Sequence, residues 1–118
     1  PTAPGIAFDL GLQRCMGRRD LYERVLQRFR ETRSDDARDI QAAFAQHDAK
    51  RISSIAHAQI STAGAIGAER LAETARALEI AQDEGASDRL PDLIRAFVQH
   101  HARTLADLER YLADTEKV

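Results

Sequence analysis

The sequence contains no tryptophan, one cysteine, one methionine and three prolines in 118 residues. The lone Cys15 excludes an internal disulfide and any multi-cysteine metal site, and such sparing use of cysteine suits a reducing cytoplasm. Three prolines and six glycines, gathered mostly at segment ends, leave room for long uninterrupted helices. No apolar run approaches the ~18 residues that a membrane span needs, so no membrane contact by this segment is expected. No signal-peptide pattern opens the chain. A net charge of −2 gives no basic footprint for nucleic acid. No stretch alternates apolar and polar residues with period two, which argues against strands. There is no glycine-rich loop of the P-loop or kinase type, so the chain carries no ATP site of its own.

What is present is the balance of a soluble globular domain, 43% hydrophobic and 31% charged. Much of the apolar share is alanine, so the core must rely on close helix–helix contact with a few large side chains between. The chain opens at Pro1 with PTAPG and no methionine. Residues 1–4 are therefore read as a linker, and the chain as a piece of a longer protein with one helical domain over 5–118.

Residues 6–16 read as a short helix with Phe8, Leu12 and Cys15 on one side, ended by Gly17. Leu21, Tyr22, Val25, Leu26 and Phe29, then Ala37, Ile40, Ala43 and Phe44, keep one helical phase through the polar patch at Glu31–Asp36. The spacing predicts one long helix over about 20–46, with a new cap at Ser34 as the alternative. His47-Asp48 breaks the pattern, and Asp48 is a good N-cap. A helix over about 49–65 follows, ended by Gly67, and then another over 69–83. After the turn Gly85-Ala86-Ser87, Ser87 or Asp88 caps a last helix to about Ala113, with Pro91 in its first turn. Short connections force antiparallel neighbours. The expected fold is all-α: an antiparallel up-down-up-down four-helix bundle with a short additional N-terminal helix, closed on itself as a monomer.

The functional signal lies in ISSIAHAQISTAGAIGA, Ile52 to Ala68. At about 100° per residue, Ile55, Ala56, Ala63 and Ile66 cluster within roughly 60° of Ile52. His57 falls near 140°, off that core face, with Lys50, Ser61 and Gly64 on its side and Ser53 and Ser54 flanking. A solvent-facing imidazole ringed by short side chains lets another protein approach the ring. The neutral form of an exposed imidazole is a usable nucleophile. Taken alone, the geometry favours an ordinary surface histidine.

Other histidines carry less. His100 and His101 are adjacent, so on a helix they point about 100° apart and do not chelate together. No Glu-x-x-His or His-x-x-x-His occurs, which leaves a di-metal bundle or zinc hydrolase unsupported. His101 lies on the apolar stripe as a hydrogen-bonded core or boundary residue, and Cys15 reads as a small core residue. No metal site is expected.

Ala56-His57 and the small residues after it, then Ala63-Gly64-Ala65-Ile66-Gly67-Ala68, resemble the signature of histidine-containing phosphotransfer (HPt) domains. Gly5-Ile6, Leu12, Gly17, Leu21-Tyr22, Leu26 and Phe29 upstream, Asp48, and Leu71, Ala75 and Leu78-Glu79 downstream extend the resemblance over about 5–113. It implies a carrier in a multistep phosphorelay. A receiver domain passes a phosphoryl group from its aspartate to His57, which hands it to another receiver. Ser53, Ser54, Ala58, Ile60, Ser61 and Gly64 would form the partner-binding patch. No cofactor is implied in this domain, and magnesium belongs to the partner receiver. Such a domain is cytoplasmic, also as the cytoplasmic part of a membrane-anchored hybrid sensor kinase. The sequence departs from the family at two positions. Lysine usually follows three residues after the histidine and glycine four after, whereas Ile60 and Ser61 stand there. The missing cation sustains an alternative, a helical docking module that binds a receiver without being phosphorylated.

Overall fold

The computed structural model describes residues 4–116, all-helical apart from turns. The linker expected at 1–4 falls mostly outside these residues, as do the last two positions of the domain expected over 5–118. Six α-helices follow in order: α1 (Phe8–Arg14), α2 (Arg19–Arg33), α3 (Asp36–Ala45), α4 (Ala49–Ile66), α5 (Glu69–Asp83) and α6 (Leu90–Glu116). A single 3₁₀ turn, Ser87–Arg89, leads into α6. At about 1.5 Å per residue, α6 alone spans about 40 Å. It sets the long axis of a molecule measuring 47 × 29 × 22 Å.

The one long helix expected over 20–46 is two helices, α2 and α3. The interruption is slight. Ser34 keeps helical angles (φ −63°, ψ −29°) and only Asp35 (φ −91°, ψ 1°) departs. Because the backbone barely leaves helical space, the apolar phase carries across, which is why spacing alone gives a single helix. Ser34 does not cap α3 either. Its hydroxyl donates back to the Arg30 carbonyl, a local bond that competes with the helix ladder. Below the break Asp36 is buried, and Gln59 Nε2 donates to its Oδ2 at 2.9 Å. Arg33 lies 3.3 Å from the same oxygen. His101 Nε2 donates to the Arg33 carbonyl at 2.8 Å, and His101 is 2% exposed, the buried, hydrogen-bonded residue expected.

Cross-helix contacts run in opposite order along neighbouring helices. Tyr22 meets Tyr111 and Arg30 meets Glu109, while the Arg33 carbonyl meets His101. Tyr22 donates to the Ile66 carbonyl, Asp36 pairs with Gln59, and Asp39 with Arg51. On the other side of α4, Gln82 donates to the Ala49 carbonyl. The core between these helices is built from Leu26, Phe29, Ile40, Ile66, Leu78 and Phe97, each 2% exposed or less. Each such side chain contributes on the order of 1.5–3 kcal/mol by burial. Cys15 is buried among them.

The N-terminal segment closes one end. Ala7 donates its N–H to the Gly67 carbonyl at 2.9 Å. A side chain on Gly11 would meet the Ile66 carbonyl and the Tyr22 ring at 2.4–2.6 Å, so only glycine lets α1 lie this close to α4. No described helix is long and apolar enough to cross a membrane.

Candidate functional site

The helix that carries the candidate site is fixed at both ends. Asp48 caps α4 by accepting from the Arg51 N–H at 3.1 Å. His47, just before it, takes a left-handed conformation (φ 54°) that releases the chain from α3. At the far end Gly67 is left-handed (φ 89°), and α4 closes with backbone bonds from Gly67 N–H to the Gly64 carbonyl and from Ala68 N–H to the Ala63 carbonyl. Ile52, Ile55, Ala56, Ala63 and Ile66 form the buried face, as the spacing predicts. Opposite them on α5 stand Ala72, Ala75 and Leu78, also buried. Alanine on both sides of the seam lets the two axes approach toward the close end of the usual ~8–10 Å range. Side chains flanking the seam therefore reach across it.

His57 is one of these flanking side chains. It is 82% exposed, and its Nδ1 lies 3.1 Å from Oε2 of Glu79 on α5. A carboxylate only accepts, so Nδ1 carries the ring hydrogen and donates it. In the neutral ring the second nitrogen, Nε2, then keeps its lone pair. Lys50, Ser53, Ser54, Ala58, Glu79 and Asp83 line a shallow depression together with His57. The arrangement is an accessible nitrogen nucleophile on a rigid helix, with its tautomer and ring plane set by a neighbouring carboxylate.

The Hpt domain family matches residues 24–116. The chain belongs to the Hpt domain family. Its members take part in phosphorelays by histidine phosphotransfer. No curated protein and no solved structure matches the chain.

In this Hpt domain, three of the expected patch residues share the depression with His57: Ser53, Ser54 and Ala58. The others lie elsewhere on α4. Ser61 opens onto a separate groove between α2 and α4, lined by Val25, Arg28, Phe29, Thr32, Thr62 and Ala65. Ile60 is half-buried and packs against the core. Gly64 is half-buried, and its carbonyl accepts from the Arg14 guanidinium, which also pairs with Glu69 at 2.5 Å.

Sequence reasoning assigned no role to Glu79. The signal was the hairpin itself: His57 lies ten residues before Gly67 and Glu79 twelve after, so an antiparallel pair brings them opposite. Gln59 also passed unremarked. Its angle on α4 falls on the core face, and it is fully buried, with Oε1 left without a partner. Burial pushes its partner Asp36 above the usual carboxylate range, against the opposing pull of the Gln59 hydrogen bond and the Arg33 charge.

Proposed function

We propose that His57 is the phospho-accepting residue of this Hpt domain, taking a phosphoryl group from a receiver-domain aspartate and passing it to another receiver. The observation that carries the reading is the pairing of an exposed imidazole with Glu79 through Nδ1. In the forward step the Nε2 lone pair attacks phosphorus of the receiver's acyl phosphate. The P–O bond to the aspartate breaks, and its electron pair leaves with the carboxylate. The ring keeps its Nδ1 hydrogen and becomes a cation, which the Glu79 carboxylate stabilises. The return step reverses each bond change. The transition state of phosphoryl transfer is loose, so positioning and charge do most of the work. The partner receiver supplies magnesium; this chain supplies the oriented nitrogen.

The receiver docks over the depression at His57 and the neighbouring groove between α2 and α4, where Ser61 lies. Support comes from the short side chains beside His57 and the apolar lining around Phe29 and Val25. The opposite running order of cross-helix contacts supports an up-down-up-down bundle, with α2 and α3 together in the place of one long helix. The domain spans 5–118 and acts as a cytoplasmic monomer within a longer relay protein, of the hybrid sensor kinase type. The docking-only alternative rests on Ile60 alone, whereas the nucleophile and its orienting carboxylate favour a carrier.

The test is transfer from a phosphorylated receiver. The parent chain is expected to acquire acid-labile phosphate and His57→Gln none. Receiver binding with no label on the parent would replace the carrier with the docking module.

A further inference from the structure

A phosphoryl group on Nε2 brings about 1.5–2 negative charges into the depression at His57. The lining there already holds two carboxylates, Glu79 and Asp83. The family's lysine position cannot offset them, because it holds Ile60, half-buried against the core. One cation lines the depression, Lys50. We propose that Lys50 meets the phosphoryl oxygens on His57, supplying from the N-terminal side of α4 the positive charge that the family usually supplies from the C-terminal side. The proposal rests on the reading of His57 as the phospho-accepting residue.

Register and direction both favour Lys50. It lies seven residues before His57, two helical turns or about 10 Å along the axis. On the face they share, the residues between them are Ser53 and Ser54, so nothing long intervenes. Helical side chains lean toward the N-terminus, which tilts the imidazole over the serines and toward Lys50 rather than toward Ile60 and Ser61. The flexible four-carbon stem of lysine covers the remaining gap. Its ammonium is a compact charge with three rotatable donors, suited to a phosphoryl group arriving on a partner.

Among the described residues Lys50 makes no ion pair, whereas its neighbour Arg51 is engaged by Asp39 at 3.4 Å. Lys50 is the second residue of α4, whose first turn holds no acidic side chain. The positive end of the helix dipole disfavours a cation there. Lysine is also rare in this chain: Lys50 and Lys117 are the two, and every other strong base is arginine.

Phosphoramidate, a small donor that needs no receiver, separates this proposal from the docking question. Nε2 attacks phosphorus of the N-protonated donor, the P–N bond breaks, and ammonia leaves with that electron pair. The measurements are the initial labelling rate and the titration of the attached phosphoryl group, followed by ³¹P NMR. They are made on the parent chain, Lys50→Gln, Lys50→Arg and His57→Gln. Lys50→Gln is expected to label about three- to fivefold more slowly. Its phosphoryl group should titrate about half a unit higher in pH, because a nearby cation favours the dianion. Lys50→Arg should restore most of both, and added salt should narrow the gap between parent and Lys50→Gln. A merely structural lysine would move the melting temperature and leave the phosphoryl titration in place. Equal rates and equal titrations in parent and Lys50→Gln overturn the proposal and leave the carrier intact. A parent that takes no label, or one that labels no better than His57→Gln, overturns the carrier reading and Lys50 with it.

Discussion

His57 on α4 and Glu79 on α5 hold each other across an alanine seam, Nδ1 to Oε2 at 3.1 Å. Under the proposed function, that contact decides which ring nitrogen is left to react. Replacing Glu79 by alanine should free the ring and remove the charge that stabilises the phosphorylated imidazolium. Transfer onto the chain is expected to slow by about three- to tenfold. Glu79→Gln keeps an acceptor without the charge and should fall between. Single-turnover transfer from a phosphorylated receiver measures all three chains, and an unslowed Glu79→Ala would remove the carboxylate from the account.

The α4–α5 hairpin depends on Gly67. Its φ of 89° is left-handed, and a Cβ there would lie 2.3 Å from the Ala7 carbonyl. Gly67→Ala is expected to cost about 1–3 kcal/mol from backbone conformation alone, with the steric conflict added. A thermal melt followed by circular dichroism should show the loss, and an unchanged melting temperature would mean that α1 does not pack on the turn as described.

Much of this was legible in the sequence, and the gaps have identifiable causes. Asp48, Gly67 and the Ile/Ala spacing mark α4 because caps and glycine stops act locally. The same spacing turns His57 outward. The α2–α3 break entered only as the alternative at Ser34, because Ser34 stays helical and only Asp35 leaves, so periodicity continues through it. Asp36 and Gln59 escaped because each is polar at an inward position, and their burial is compensated by one another across the fold. The Glu79 contact needs a tertiary pairing between two helices, which no window along one helix contains.

The Asp36–Gln59 pair gives the fold a pH dependence. Burial raises the Asp36 carboxyl, while Gln59, Arg33 and His101 oppose the shift and Asp39 adds to it. The folded chain therefore binds this proton more tightly than the unfolded chain. The contribution of Asp36 to stability is most favourable below the ordinary carboxylate pKa and declines as pH rises through the raised folded value. Asp36→Asn keeps an acceptor for Gln59 but cannot ionise, so the stability of the parent relative to this variant should fall across that window. Urea melts of both chains at a series of pH values measure it. A constant difference between them would show that Asp36 is not shifted.

The groove between α2 and α4 offers a test of docking independent of chemistry. Ser61→Trp would fill the space beside Val25, Phe29 and Thr32. Transfer from a receiver is expected to drop at least about tenfold, the effect of roughly 1.4 kcal/mol of lost docking energy. Labelling by phosphoramidate should be unaffected. Equal losses with both donors would instead point to a disturbed α4.

The central claim is that His57 accepts phosphate on Nε2 because Glu79 occupies Nδ1. Chemically phosphorylated chain, labelled uniformly with ¹⁵N, tests it through the ³¹P–¹⁵N coupling of the modified ring. The account expects one phosphorylated histidine among the four in the chain, His57, with phosphorus coupled to Nε2 and a hydrogen retained on Nδ1. Phosphorus coupled to Nδ1 of His57, or attached to His47, His100 or His101 instead, would contradict it.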